Sequence, residues 1–160
     1  MEMGTRSFRP DSLRGNESKS FKTSNTLIIE GKNLSDFPAF LIADYNWIKL
    51  RDLADLLKNT PKKFDVLWNK ERNAVEMTAG KPYVPDGTEQ KKIEVIETTA
   101  IASLQKFIID GKEIELAAYN IGGYNYIRVR DLAILLDFNV IFEKRNGGTV
   151  TFDFENGYIE

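Results

Sequence analysis

Phe40-Leu41-Ile42-Ala43-Asp44-Tyr45-Asn46-Trp47-Ile48-Lys49-Leu50-Arg51-Asp52-Leu53-Ala54 aligns without a gap to Tyr119-Asn120-Ile121-Gly122-Gly123-Tyr124-Asn125-Tyr126-Ile127-Arg128-Val129-Arg130-Asp131-Leu132-Ala133. Each copy reads as a strand, a tight turn, a second strand and the start of a helix. Gly122-Gly123 suits a type I′ turn, which needs positive φ at both positions; Ala43-Asp44 suits it less well. Trp47-Ile48-Lys49-Leu50 and Tyr126-Ile127-Arg128-Val129 alternate side chains between two faces. Leu50, Leu53, Ala54 and Leu57 then recur at helical spacing, as do Val129, Leu132, Ala133 and Leu136.

The likeness extends in both directions. Upstream, Thr26–Lys32 matches Phe107–Lys112, a short apolar run that ends in an acidic residue, glycine and lysine. Downstream, Phe64-Asp65-Val66-Leu67-Trp68 matches Phe138-Asn139-Val140-Ile141-Phe142. Each of these strands passes through a polar turn into a last strand, and a glycine and a tyrosine follow: Gly80 with Tyr83, Gly157 with Tyr158. The period is about 80 residues, too long for the common solenoid repeats. The expected fold class is therefore α+β, two tandem copies of a small antiparallel β-sheet packed on one α-helix.

The expected boundaries are a mobile tail over 1–25, repeat 1 over 26–85, a linker over 86–104 and repeat 2 over 105–160. The tail is polar and carries no apolar core after its charged start, so it does not read as a secretory signal. Within the linker, Ile93, Val95 and Ile101 allow either a connecting strand or a segment lying across the surface. Each repeat has about 55 to 60 residues, near the lower limit for independent folding, so a shared interface or bracing by the linker is expected.

Composition narrows the chemistry. The chain has no cysteine and no histidine, which removes disulfides, thiolate nucleophiles and imidazole ligands. Copper and catalytic zinc sites depend largely on imidazole, so a transition-metal centre is not expected. The formal net charge of −2 gives no general attraction to nucleic acid. Apolar runs fall short of the roughly 18 residues of a membrane helix.

Taken together and in order, these motifs resemble the copper amine oxidase-like N-terminal domain, also called the stalk domain. The second copy carries the resemblance through Asp110-Gly111-Lys112, Ala118-Tyr119-Asn120-Ile121-Gly122-Gly123, Asn125-Tyr126, Arg130-Asp131-Leu132-Ala133 and Gly157-Tyr158. The first carries it through Glu30-Gly31-Lys32, Asn46-Trp47, Lys49–Ala54, Phe64–Asn69, Asn73-Ala74-Val75 and Gly80–Tyr83. The resemblance implies one sheet wrapped on one helix per copy, and tandem modules of exported or surface proteins, chiefly of Gram-positive bacteria. The oxidase's copper and quinone belong to a different domain, so no cofactor follows. Lys49 and Arg128 stand where many members have proline, and the Ala43-Asp44 turn is a further departure.

Tyr45, Asn46, Trp47, Tyr119, Tyr124, Asn125 and Tyr126 form the candidate binding set. Aromatic faces stack on sugar rings while amides bond hydroxyls, although the same residues serve equally as core packing. Arg51, Asp52, Arg130, Asp131, Gly122 and Gly123 are assigned structural roles at the joint between hairpin and helix. An acidic residue suits a helix start; an arginine there calls for a carboxylate or strand-end carbonyl partner, or stands in solvent. Asp52 with Asp55 and Glu113 with Glu115 are the carboxylate pairs a hydrolase would need. The functional expectation is a non-catalytic module that acts as spacer, anchor or protein-docking unit. Its alternative is a carbohydrate- or cell-wall-binding module that uses the hairpin aromatics.

Overall fold

A computed structural model describes residues 17–35, 37–89, 95–144 and 148–159. Repeat 1 contributes β1 (Glu17–Lys22), β2 (Thr26–Ile29), β3 (Lys32–Leu34), β4 (Ala39–Ile42), β5 (Tyr45–Lys49), α1 (Leu50–Leu57), β6 (Phe64–Asn69) and β7 (Ala74–Ala79). Repeat 2 runs through the same series: β8 (Glu97–Ala102), β9 (Lys106–Ile109), β10 (Lys112–Ile114), β11 (Ala118–Ile121), β12 (Tyr124–Arg128), α2 (Val129–Leu136), β13 (Asn139–Glu143) and β14 (Thr149–Asp153).

The repeats do not fold side by side. β1, β4, β5, β12, β11 and β8 close into one six-stranded barrel. The remaining strands form two four-stranded sheets, and each sheet mixes the repeats: β10-β9-β7-β6 and β13-β14-β2-β3. β7 runs parallel to β9, with Val75 opposite Phe107, and β14 runs parallel to β2, with Val150 opposite Leu27. The expected α+β pair of self-contained sheets is thus replaced by a mostly β molecule with two eight-residue helices. The physical reason lies in size. β2–β3 and β9–β10 are hairpins of four and three residues, too short to cover a helix, and each completes its sheet with the long hairpin of the other repeat.

The register discloses an approximate two-fold axis. Across the β1–β8 seam Lys19 faces its own counterpart Thr99, and across β5–β12 Ile48 faces its counterpart Ile127. The axis passes between both pairs. Two segments outside the expected repeats belong to this barrel: β1 lies in the expected tail, and β8 lies in the expected linker, where a connecting strand was one of the two readings. Residues 1–16 of that tail, and Ile93 of the linker, lie outside the described residues.

Strand alternation feeds two cores. Trp47, Phe40, Tyr119 and Tyr126 fill the barrel interior with Ile42, Ile121 and Ala100. Ile48 and Ile127, one residue along, join the main core with Leu53, Leu57, Leu132, Phe64, Phe107 and Phe138. Both helices lay their leucines on this second core, as their spacing predicts. No helix among the described residues is long and apolar enough to cross a membrane.

Candidate functional site

The hairpin aromatics do not form a single face. Trp47 and Tyr119 pack edge to face inside the barrel with ring centres 4.8 Å apart, and Phe40 and Tyr126 pack at 5.7 Å. Tyr119 shares a hydrogen bond with Ser18, and burial pushes its phenol pKa up. Tyr45 and Tyr124 are the set's exposed aromatics, 43% accessible each. They lie on the barrel-facing side of their strands, two residues before Trp47 and Tyr126, at opposite ends of the β5–β12 seam.

Each tyrosine lies under a buried cation from the partner strand. Lys49 Nζ stands 3.6 Å above the Tyr124 ring, and the Arg128 guanidinium stands 4.6 Å from the Tyr45 ring. The antiparallel register makes these diagonal neighbours, since Lys49 pairs with Tyr126 and Arg128 with Trp47. Both cations are almost fully buried and need partners. Arg128 Nη2 donates to Asp131 Oδ1 at 2.9 Å across the first helical turn. Lys49 Nζ donates to the Thr88 carbonyl. Lys49 and Arg128 are therefore the charged pins of the seam. Asp131 serves as an ion-pair partner in addition to facing the helix dipole.

The helix-start arginines also find partners. Arg51 Nη1 lies 3.4 Å from the Val66 carbonyl, 3.4 Å from the Tyr83 hydroxyl and 3.4 Å from Asp86 Oδ2. Arg130 Nη1 donates to the Tyr158 hydroxyl at 3.2 Å and stacks 5.0 Å from the Phe142 ring. The repeated glycine and tyrosine after each last strand thus serve the arginines. A Cβ on Gly157 would stand 2.8 Å from Asp137 Oδ1, so glycine permits the approach by which Asp137 accepts the Tyr158 N–H.

Around these groups the fold leaves a pair of clefts, exchanged by the two-fold axis. The first, of about 120 Å³, is lined by Lys49 and Arg51 of repeat 1, by Gly123, Tyr124 and Asn125 of repeat 2, and by the exposed Leu67 and Trp68. The second, of about 350 Å³, is lined by Arg128 and Arg130 of repeat 2, by Asp44, Tyr45 and Asn46 of repeat 1, and by the exposed Phe142. Each cleft therefore needs both repeats. Sequence reasoning missed Trp68 and Phe142, although an aromatic at the same place in both strands was the signal that marks them.

The loop over residues 83–89 sits against the first cleft's cations. Asp86 accepts the Thr88 N–H and hydroxyl, and Glu89 accepts the Asp86 and Gly87 N–H groups and the Tyr83 hydroxyl. Burial and the Glu89 bond push the Tyr83 phenol up to about 12. The Thr88 bonds hold Asp86 below its ordinary value; Glu89 is also lowered, because bonds from Tyr83 and the loop backbone outweigh its desolvation.

The other sequence candidates disperse. Asp52 is buried, while Asp55 pairs with Lys58 at 2.7 Å, so they share no cleft. Glu113 and Glu115 are exposed and line neither cleft. Among the described residues, no cluster of three or more His, Cys, Asp or Glu could hold a metal ion. Comparison with family models, with curated proteins and with solved structures found no match to the chain.

Proposed function

We propose that the chain is a non-catalytic module of an exported or cell-surface bacterial protein that docks a partner on its surface. The observation that carries this reading is the pair of symmetry-related clefts. Each joins a hairpin tyrosine, a helix-start arginine and an exposed aromatic from the edge strand β6 or β13. Exposed aromatics and arginines beside a concave wall are the usual anchors of recognition surfaces. The surface location follows the resemblance to the stalk family. The test is site-specific photo-crosslinking in the encoding organism, with a benzophenone at Tyr45, Tyr124 or Phe142 and at a distant exposed site, Lys112. Discrete adducts at the cleft positions alone support docking. Adducts at Lys112 and none at the clefts overturn it.

A glycan partner is the second reading. Trp68, Tyr124 and Asn125 line one cleft and offer the aromatic-plus-amide pairing that sugars use. Trp47, Tyr119 and Tyr126 no longer count toward it, because they fill the barrel. Retention on purified cell wall, lost in Trp68→Ala, would favour this reading; absence of retention removes it.

A further inference from the structure

The two clefts correspond position by position, but among the described residues only the first has a peptide on its cations. There Asp86 lies on Arg51 beside the Tyr83 hydroxyl, and the Thr88 carbonyl takes Lys49. In the second cleft Arg130 has the matching tyrosine, Tyr158, yet among the described residues no carboxylate stands within ion-pair distance of it. The second cleft is also about three times larger, 350 Å³ against 120 Å³.

Polar atoms on its wall are unmatched as well. Asn46 is 5% exposed; its amide nitrogen donates to Asn25 at 3.1 Å, and its Oδ1 has no hydrogen-bond partner among the described residues. The Thr149 hydroxyl, on the same wall, is buried and unpartnered too. At the equivalent place Asn125 Oδ1 accepts from the Ser103 hydroxyl at 3.0 Å. Buried polar atoms without partners leave this wall short of hydrogen bonds that the first cleft's wall makes.

We propose that the second cleft docks a short acidic peptide segment of a partner protein, in the way the first holds its own Asp86-Gly87-Thr88 turn. The segment places one carboxylate on Arg130 beside the Tyr158 hydroxyl. It lies over the wall that holds Asn46 and Thr149, flanked by Tyr45 and Phe142. Asp44 and Glu143 on the same wall select against a run of acidic residues, so the ligand carries a single carboxylate followed by small residues. This inference rests on the docking reading above and names the partner's chemistry.

The probe is a fluorescein-labelled, C-terminally amidated peptide with the chain's own loop sequence, Val-Pro-Asp-Gly-Thr. A tethered loop has an effective concentration on the order of millimolar, so the free peptide is titrated to that range. The expected result is saturable binding to the full chain, weakened about tenfold or more by Arg130→Gln and by aspartate-to-asparagine exchange in the peptide. Lys112→Gln, exposed and outside both clefts, leaves it unchanged. Amide shifts on titration should move at residues 44–46, 128–130, 142–144 and 148–149, a readout that stands even if Arg130→Gln folds poorly. No saturation, equal binding by Arg130→Gln, or shifts centred on Lys49 and Arg51 each overturn the proposal. Arg130-dependent self-association without peptide binding assigns the cleft to a second copy and overturns it too. Cleft crosslinks with no peptide binding leave docking intact and remove only the acidic segment; no cleft crosslinks remove both.

Discussion

Asp131 is the residue on which the seam's electrostatics turn. Its side chain is buried, and it neutralises an equally buried Arg128 at 2.9 Å. Removing one member of a buried pair leaves a charge in a poor dielectric, whereas replacing both with apolar groups of similar volume is often harmless. Asp131→Ala should therefore destabilise by about 3–5 kcal/mol in urea unfolding, and Arg128→Met with Asp131→Leu should recover most of that loss. Tyr83 gives a second prediction at this scale. Its folded pKa of about 12 lies above the ordinary 10.0, so the folded state holds a proton there that the unfolded chain has lost. The stability from this group is complete below pH 10 and drains away as pH rises through about 12. Ultraviolet titration should show late-ionising phenols, Tyr83 and Tyr119, and Tyr83→Phe should reduce that late step by one phenol. In acid the opposite sign holds for Asp86 and Glu89, whose lowered values make the loop loosen as pH falls below their ordinary 3.8 and 4.5.

Turns, strands and helices show which signals a sequence carries plainly. Both β-hairpins form the same positive-φ turn, with Gly122 and Gly123 at 62° and 92° and Ala43 and Asp44 at 50° and 71°. The alanine pays strain that the glycine does not. Ala43→Gly should stabilise the protein by about 0.5–1 kcal/mol, the relief of left-handed strain less the added freedom of the unfolded chain. Equilibrium denaturation checks it, and a loss of stability would show that the turn is not the strained one. The hairpins and helices were legible because their patterns are local. β1 was not, and β8 was only one of two readings, because their polarity is inverted. Ser20 and Ala100 face the barrel interior, where Trp47 and Tyr119 leave no room for more, while Phe21 and Ile101 face out. The site was half legible for a related reason. Alternation shows that Tyr45 and Trp47 share a face, but not that the barrel closes over one of them and stops short of the other.

At the scale of the molecule, sheet membership was the part that local pattern could not carry. A strand's composition says that it pairs, and the identity of its partner depends on the whole chain. The parallel pairs β7–β9 and β14–β2 leave neither repeat with a complete sheet. Residues 17–89 and 95–159, expressed separately, should each lack cooperative unfolding as monomers. Mixed, they should regain a single transition by circular dichroism, and a cooperative monomeric half would contradict the exchange.

The axis through Lys19–Thr99 and Ile48–Ile127 has a historical consequence. A chain with one copy could satisfy every one of these pairings by meeting a second molecule of itself, with each axial residue facing its own twin. Such an ancestor would be an isologous homodimer, obliged to present two identical clefts. Joining the copies end to end lifted that obligation. One cleft could then be stoppered by the joining segment itself, and its sister could be kept for someone else.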